Sequence, residues 1–463
     1  MLPVIAIVGA PNVGKSTLFN RLTRTRDALV ADEPGVTRDR HYGLATQGAR
    51  RFALIDTGGV TDESAPIPDM IAKQAHQAMD EAHAIIFVVD GRAGANALDE
   101  RIATSLRRLD RPVYLAVNKA EGLDRNAVGV DFHALGLGSP QAISAAHGQG
   151  VKALVDQVLD NIELDDEEEL QLPDDDAVKV AVIGKPNVGK STLINRLLGE
   201  DRLVAHDMPG TTRDSIAVPF ERDGRSYVLI DTAGIRRRSR IDETVEKFSV
   251  IKSLQSIDAA NVVVLLIDAR EGVADQDATL LAEVEKVGRA LVVGINKWDG
   301  LTPDQRATVK RQLDIKLGFV DYATVQFLSA LHGTGVGELI KAVDKAWQGA
   351  SKNLSTPELT RLLEAATTRH PPPLVRGRRI KLRYAHQGGS NPPRIVIHGN
   401  QTDDVPDAYR RYLARFFRQH LKLHGTPVSV EFRTGDNPYK GRKNTLTPRQ
   451  VRRKKRLLKH VKR

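Results

Sequence analysis

Over the first 350 positions, apolar residues cluster in short, nearly unbroken runs separated by longer mixed stretches. Leu2 to Val8, Ala53 to Ile55, Ala84 to Val89, Val113 to Val117, Val178 to Ile183 and Val262 to Ile267 have the length and β-branched content of strands buried on both faces. Between them the apolar positions take helical spacing, as at Leu193, Ile194 and Leu197. Strands alternating with helices predict a mostly parallel α/β sheet whose ligand lies at the carboxyl ends of the strands. Beyond residue 350 the pattern changes. Thr356-Pro357-Glu358 opens a helix with Leu359, Leu362, Leu363 and Ala366 on one face, and Pro371 to Pro373 stops it. Arg379 to His386 and Arg394 to His398 read as strands, Val405 to Leu423 as a helix carrying Tyr409, Leu413, Phe416 and Phe417, and Val428 to Phe432 as a last strand. The result is a small α+β unit.

Two of the predicted strand-to-helix junctions carry almost the same nine residues. Gly9-Ala-Pro11-Asn12-Val13-Gly14-Lys15-Ser16-Thr17 and Gly184-Lys-Pro186-Asn187-Val188-Gly189-Lys190-Ser191-Thr192 differ only at their second residue. In this pattern closely spaced glycines let successive amides face phosphate, Lys15 or Lys190 reaches the β and γ phosphates, and the Ser16 or Ser191 hydroxyl is suited to Mg2+. The helix that follows adds the positive end of its dipole. Further landmarks keep step after each loop. Thr37 in Pro34-Gly-Val-Thr-Arg-Asp39 and Asp56-Thr-Gly-Gly59 match Thr212 in Pro209-Gly-Thr-Thr-Arg-Asp214 and Asp231-Thr-Ala-Gly234 at a spacing of 175 residues. Asn118-Lys119-Ala-Glu121 matches Asn296-Lys297-Trp-Asp299 at 178, and Ser144-Ala145 matches Ser329-Ala330 at 185. The chain is a duplication, with its insertions late in each copy.

The base is chosen by the fourth landmark. A carboxylate at Asp299 accepts from the N1–H and exocyclic amine of guanine, a donor pair that adenine lacks, so the second copy reads GTP and GDP rather than ATP. Lys297 is expected to pack its stem over the base and the Ala330 amide to face guanine O6. The first copy departs from this, because Glu121 has the charge but one methylene more, and weaker guanine binding is expected there.

Charge divides the chain. The net of +10 is made of 27 Lys+Arg against 7 Asp+Glu in residues 351–463, outweighing an acidic first 350. A basic face of that size is the footprint of a nucleic-acid binder. Nine acidic residues among the fourteen of 163–176 form a solvated spacer, and nine Lys+Arg without an acid in 449–463 form a basic tail. There is no cysteine, no apolar run long enough for a membrane span and no recognisable leader, from which a cytoplasmic protein is expected. The 13 histidines show no metal-ligand spacing, and Trp298 reads as packing.

Five ordered landmarks occurring twice resemble the translation-factor-related GTPases. Two tandem copies followed by a small basic domain resemble one family in particular, the Der (also EngA) bacterial ribosome-assembly GTPases. The resemblance covers essentially the whole chain. It implies two P-loop GTPase domains at 1–162 and 177–350 joined by the acidic linker 163–176, a KH-like domain at 351–440 and a basic tail at 441–463. It implies catalysis through Lys15, Thr37 and Gly59 and through Lys190, Thr212 and Gly234, with Mg2+ held by Ser16, Thr37 and Asp56 and by Ser191, Thr212 and Asp231. It implies a monomer that acts on the large ribosomal subunit and its rRNA without stable membrane association. Two departures matter. Val60 and Ile235 stand where many GTPases place a water-orienting Gln, and the family's answer is a monovalent cation, for which Asn12 and Asn187 are the candidate K+ ligands. No G-x-x-G occurs in 351–463, so the usual KH grip on RNA does not carry over. A regulator of another class, using the basic tail on anionic lipid at a membrane surface or in cell division, is the alternative.

Overall fold

The computed structural model describes residues 2–23, 29–30, 41–57, 82–109, 111–124, 128–162, 177–200, 217–230, 250–375 and 378–434. In the first copy these form β1 (Val4–Val8), α1 (Lys15–Thr23), β2 (Leu29–Val30), β3 (His41–Gln47), β4 (Arg50–Asp56), β5 (Ala84–Asp90), α2 (Ala97–Leu106), β6 (Val113–Asn118), β7 (Gln141–Ala142) and α3 (Val151–Asp160). The sheet order is β2-β3-β4-β1-β5-β6-β7. β1 pairs in parallel with β4 and β5, β6 continues the parallel run, and β3 is antiparallel to β4. Chain order therefore reverses around β1, and the crevice beyond its carboxyl end is where a doubly wound sheet takes its ligand. The glycine loop starts there.

The second copy repeats the plan with β8 (Val178–Ile183), α4 (Lys190–Glu200), β9 (Val218–Arg222), β10 (Arg225–Ile230), α5 (Val250–Ala259), β11 (Val262–Asp268), α6 (Asp275–Val287), β12 (Ala290–Asn296), α7 (Pro303–Lys316), β13 (Thr324–Phe327) and α8 (Val336–Ala350). Its order is β13-β12-β11-β8-β10-β9, with only β9 and β10 antiparallel. Each apolar run named above falls on a strand, fully buried in β1, β5 and β11 and partly in β6 and β8. Trp298 packs on Phe327 with ring centroids 4.2 Å apart, as its reading from sequence requires.

The remaining elements are α9 (Thr356–Arg369), β14 (Leu374–Val375), β15 (Arg378–Arg379), β16 (Lys381–Gly389), β17 (Arg394–Asn400), α10 (Asp407–Leu421) and β18 (Ser429–Thr434). Ser355 caps α9 by accepting from the Glu358 amide, Pro357 sits in its first turn, and Leu359, Leu363 and Ala366 are its buried face. Helix α10 is shorter than expected at both ends. Pro406 has no amide to donate, so its carbonyl only receives the first bonds, from Tyr409 and Arg410, and Lys422 at φ 54° ends the helix after Leu421.

By packing, the chain separates into two units. One comprises 1–353 with the short segments 389–394 and 418–429; the other comprises 354–388, 395–417 and the residues from 430. Both sheets of the duplicated part thus belong to one unit. Tyr42, Leu44, Ala53 and Ile55 on β3 and β4 share a continuous hydrophobic cluster with Val250, Ile251, Leu254 and Ile257 of α5. At its margin Arg51 pairs with Asp258 at 2.9 Å, and the Lys286 ammonium donates to the Leu44 carbonyl.

Candidate functional site

The two glycine loops are built alike to the atom. Gly14 and Gly189 adopt φ 99° and 101°, and a Cβ on either would lie 2.3 Å from the Nδ2 of Asn118 or Asn296. Only glycine fits beneath that amide. Lys15 and Lys190 fold back along the loop, each ammonium donating to the carbonyls of the loop's first two residues at 2.9 and 2.7 Å. Burial pushes the Lys15 pKa down and the neighbouring Asp56 carboxylate opposes this. Ser16 and Ser191 open the helices beside these lysines. The donors described in the first copy, the Ser16 hydroxyl and the buried Asp56 carboxylate, are hard oxygens of the kind Mg2+ takes.

The asparagine of the base-reading motif ties the site together. Asn118 donates to the Val13 carbonyl at 2.8 Å and accepts from the Ala145 amide at 2.8 Å. Asn296 repeats this with Val188 at 2.7 Å and Ala330 at 2.8 Å. One side chain thus clamps the phosphate loop to the Ser-Ala turn. The Ala330 amide, expected to face guanine O6, donates here to the Asn296 side chain. Ser144 and Ser329 close the same turns, with hydroxyls accepting from the His147 and His332 amides at 3.3 Å.

Lys119 and Lys297 take left-handed backbone angles, φ 63° and 60°. Their ammonium groups bridge the Asn12 and Asn187 carbonyls, at 2.9 and 2.8 Å, to carboxylates of Asp90 and Asp268, both at 2.6 Å. These two aspartates were not singled out from sequence. They end β5 and β11 at the 178-residue spacing of the lysines they hold, and that spacing was the available signal. Burial pushes the Asp90 carboxyl up, but hydrogen bonds from Lys119 and the Arg92 amide outweigh it and hold it below the usual range.

At Asp299 and Glu121, the carboxylates expected to read the base, the copies differ. Asp299 lies 3.3 Å from His332 Nε2, and the Ser329 hydroxyl holds its pKa low. Glu121 is likewise held low, first by Ser144, and Arg92 also pairs with it at 2.8 Å. A neighbouring cation thus engages the longer side chain, and competition between Arg92 and guanine for it is expected. Glu121→Asp is expected to tighten GDP at the first site severalfold, read by titration of fluorescent GDP; unchanged or weaker binding would count against the competition.

Gly9, Pro11, Asn12, Val13, Gly184, Pro186, Asn187 and Val188 lie in the two loops and Thr17 and Thr192 in the first turns of α1 and α4, with Asn12 and Asn187 both exposed and at φ 63° and 62°. Thr37, Gly59, Val60, Thr212, Asp231, Gly234 and Ile235 lie outside the described residues, as do the acidic linker 163–176 and the tail 441–463. Among the described residues no cluster of three His, Asp or Glu side chains could hold a metal by itself, and no helix is long and apolar enough to cross a membrane.

The fold and these motifs are matched by the family described as a 50S ribosome-binding GTPase at residues 4–119 and 179–297, and residues 353–433 match the family described as KH-domain-like of EngA bacterial GTPase enzymes, C-terminal. The molecule is a P-loop GTPase, an enzyme converting GTP to GDP and phosphate, with its G domain present twice and a KH-like domain after it. The GTPase Der of Thioalkalivibrio sulfidiphilus (strain HL-EbGR7) is 57% identical over 464 residues and that of Methylococcus capsulatus 56% over 462, each alignment covering 100% of both chains. The chain belongs to the GTPase Der family. Among solved structures, Era in complex with MgGDPNP and nucleotides 1506–1542 of 16S ribosomal RNA is 22% identical over 60% of this chain and 97% of that one, with a TM-score of 0.28.

Proposed function

We propose that the chain is a two-site GTP switch acting in maturation of the large ribosomal subunit, its KH-like domain and basic tail contacting rRNA. The observation that carries this reading is the duplicated clamp, in which Asn118 and Asn296 each bind a phosphate loop to a base-reading turn. Two complete clamps favour two nucleotide sites over one site and a relic. The matched descriptions, a 50S ribosome-binding GTPase and an EngA KH-like domain, and the basic C-terminal quarter support the partner. The domain limits proposed are 1–162, 177–350 and 351–440, in a cytoplasmic monomer.

At each site water attacks the γ phosphorus in line with the leaving GDP, and charge builds on the γ and bridging oxygens. Lys15 and Lys190 stand at the loop to stabilise that charge, and the loop amides share it. Ser16, Thr37 and Asp56, with Ser191, Thr212 and Asp231, would hold Mg2+, which when bound offsets phosphate charge. Thr37 and Gly59, with Thr212 and Gly234, sense the γ phosphate, and its loss releases them, changing the grip on rRNA. With Val60 and Ile235 unable to orient water, K+ beside Asn12 and Asn187 is assigned the charge compensation. Turnover is therefore expected to be severalfold faster in KCl than in NaCl; equal rates would remove K+ from the mechanism.

The experiment that tests the function is sedimentation with purified ribosomal subunits in KCl, with GDP or a non-hydrolysable GTP analogue. Pelleting with the large subunit only in the analogue is expected. No pelleting in either state, with normal turnover, would overturn the ribosomal reading, and flotation on anionic vesicles would then favour the lipid alternative.

A further inference from the structure

The C-terminal sheet has two unlike faces. Its order is β16-β17-β18, and Ala385, Ile395, Ile397 and Val430 are buried. The Thr360 hydroxyl on α9 bonds both backbone groups of Ala385 at 3.3 Å, which ties α9 to the outer edge of β16. Because side chains alternate along a strand, Tyr384 and His386 point away from the side taken by Ala385, and His398 points away from Ile397. There the three rings lie near parallel. Tyr384 and His398 are 4.5 Å apart at 5°, His386 and His398 are 5.1 Å apart at 29°, and Tyr384 and His386 are 6.4 Å apart at 28°.

A ring cluster made only for packing would bury its largest member, yet Tyr384 is 43% exposed. His398 Nε2 is buried without a hydrogen-bond partner, so stacking rather than a polar anchor sets that ring's plane. Burial, then His386 and Arg433, keeps the His398 imidazole pKa low, which favours the neutral ring. By the same alternation exposed Arg433 on β18, facing away from buried Val430, shares the ring side, while Lys381 and Arg383 of β16 take the side of Ala385. Rings 4.5 Å apart at 5° are stacked on each other, so the face left to a base is that of the exposed Tyr384. An open aromatic face with a cation on the same side suits unpaired bases with their phosphates and is of little use to a duplex, whose bases are already stacked. The G-x-x-G loop that KH domains otherwise use is missing from 351–463.

We infer that Tyr384, backed by His398 and His386, forms a stacking platform for unpaired bases of single-stranded RNA, standing in for the missing G-x-x-G grip. This rests on the proposed rRNA role and supplies the chemistry by which it would be met. The platform is tested with the full chain and a fluorescein-labelled, non-self-complementary RNA of about 12 nucleotides, within the span such surfaces cover, by anisotropy across a salt series. Tyr384→Ala and the bulkier non-aromatic Tyr384→Leu are expected to weaken binding about tenfold. Tyr384→Phe should bind like the parent, the slope of affinity against salt should stay the same in all three, and GTP turnover and thermal midpoint should not move. The duplex of the same sequence should bind more weakly than the single strand. Parent-like binding by the Ala and Leu variants, no binding by the parent chain, or duplex binding equal to single strand would overturn the platform. Subunit sedimentation separates the two claims: a parent chain that pellets but ignores the oligonucleotide loses only the platform, and one that shows the Tyr384 effect but does not pellet loses only the ribosomal reading.

Discussion

Asn296→Ala is expected to lower guanine-nucleotide affinity at the second site by roughly two to three orders of magnitude. The side chain is buried and its two bonds, to the Val188 carbonyl and from the Ala330 amide, both join loops that touch nucleotide. Removing it leaves a buried carbonyl and a buried amide unpartnered, at about 1–3 kcal/mol each, and about 1.4 kcal/mol is tenfold in affinity. Gly189→Ala should do the same from the other side, because its Cβ would meet the Asn296 amide at 2.3 Å. Asp299→Asn should behave differently. It leaves the clamp whole and removes only the acceptor for the base, so GDP weakens while xanthine nucleotide, which presents an acceptor where guanine has its exocyclic amine, is gained. Titration of guanine and xanthine nucleotides against each variant distinguishes the cases. Parent-like GDP binding by Asn296→Ala would show that the turn and loop hold without their tie.

The clamp illustrates what the chain spelled out and what it withheld. The strands, the loops and the choice of guanine follow from local chemistry: β-branched runs, glycines before Lys-Ser, and a carboxylate after Asn-Lys. The roles of Asn118 and Asn296 do not, because their partners lie 105 and 108 residues away and meet them only once the sheet places the ends of β1 and β6 on either side of β5, and those of β8 and β12 on either side of β11. Asp90 and Asp268 were hidden for the same reason. A carboxylate at a strand end is unremarkable until Lys119 or Lys297 turns toward it through a left-handed backbone that a sequence does not announce. In the C-terminal region the elements were legible but their ends were not, since Lys422 stops α10 by a backbone angle and not by a residue type associated with stopping. The face carrying Tyr384, His386 and His398 needed the strand register of two separate strands.

Leu44→Asp is expected to destabilise the duplicated part by about 3–5 kcal/mol, because it places a carboxylate in an apolar cluster where even truncation of a Leu costs about 2–5 kcal/mol. Leu44 is 2% exposed and Leu254 fully buried, in the cluster that joins β3 and β4 of the first copy to α5 of the second. The ion pair beside them decides much less. The Arg51 and Asp258 side chains remain 35% and 22% exposed, and pairs of that kind contribute about 0–1 kcal/mol, so Arg51→Ala should shift stability little. Urea unfolding of the three chains measures the contrast, and equal losses for Leu44→Asp and Arg51→Ala would mean that the apolar contact does not hold the copies together. The same contact has a functional consequence. In sequence β3 follows the stretch bearing Thr37, and α5 follows the stretch bearing Asp231 and Gly234, the residues proposed to sense the γ phosphate, and β3 and α5 themselves meet in one shared core. A ligand that shifts either segment changes the packing against which the other is held, and by linkage the effect is reciprocal, with couplings of about 1–3 kcal/mol, or roughly 5- to 150-fold in affinity, in ordinary allosteric proteins. In a chain carrying Asp299→Asn, the second site can be loaded with xanthine di- or triphosphate while GDP binding reports the first. GDP affinity at the first site is expected to depend on which xanthine nucleotide is bound, and a milder Leu44→Ala change in the same chain should shrink that dependence. A first site indifferent to the state of the second, in a chain whose shared core is intact, would show that the two switches run independently.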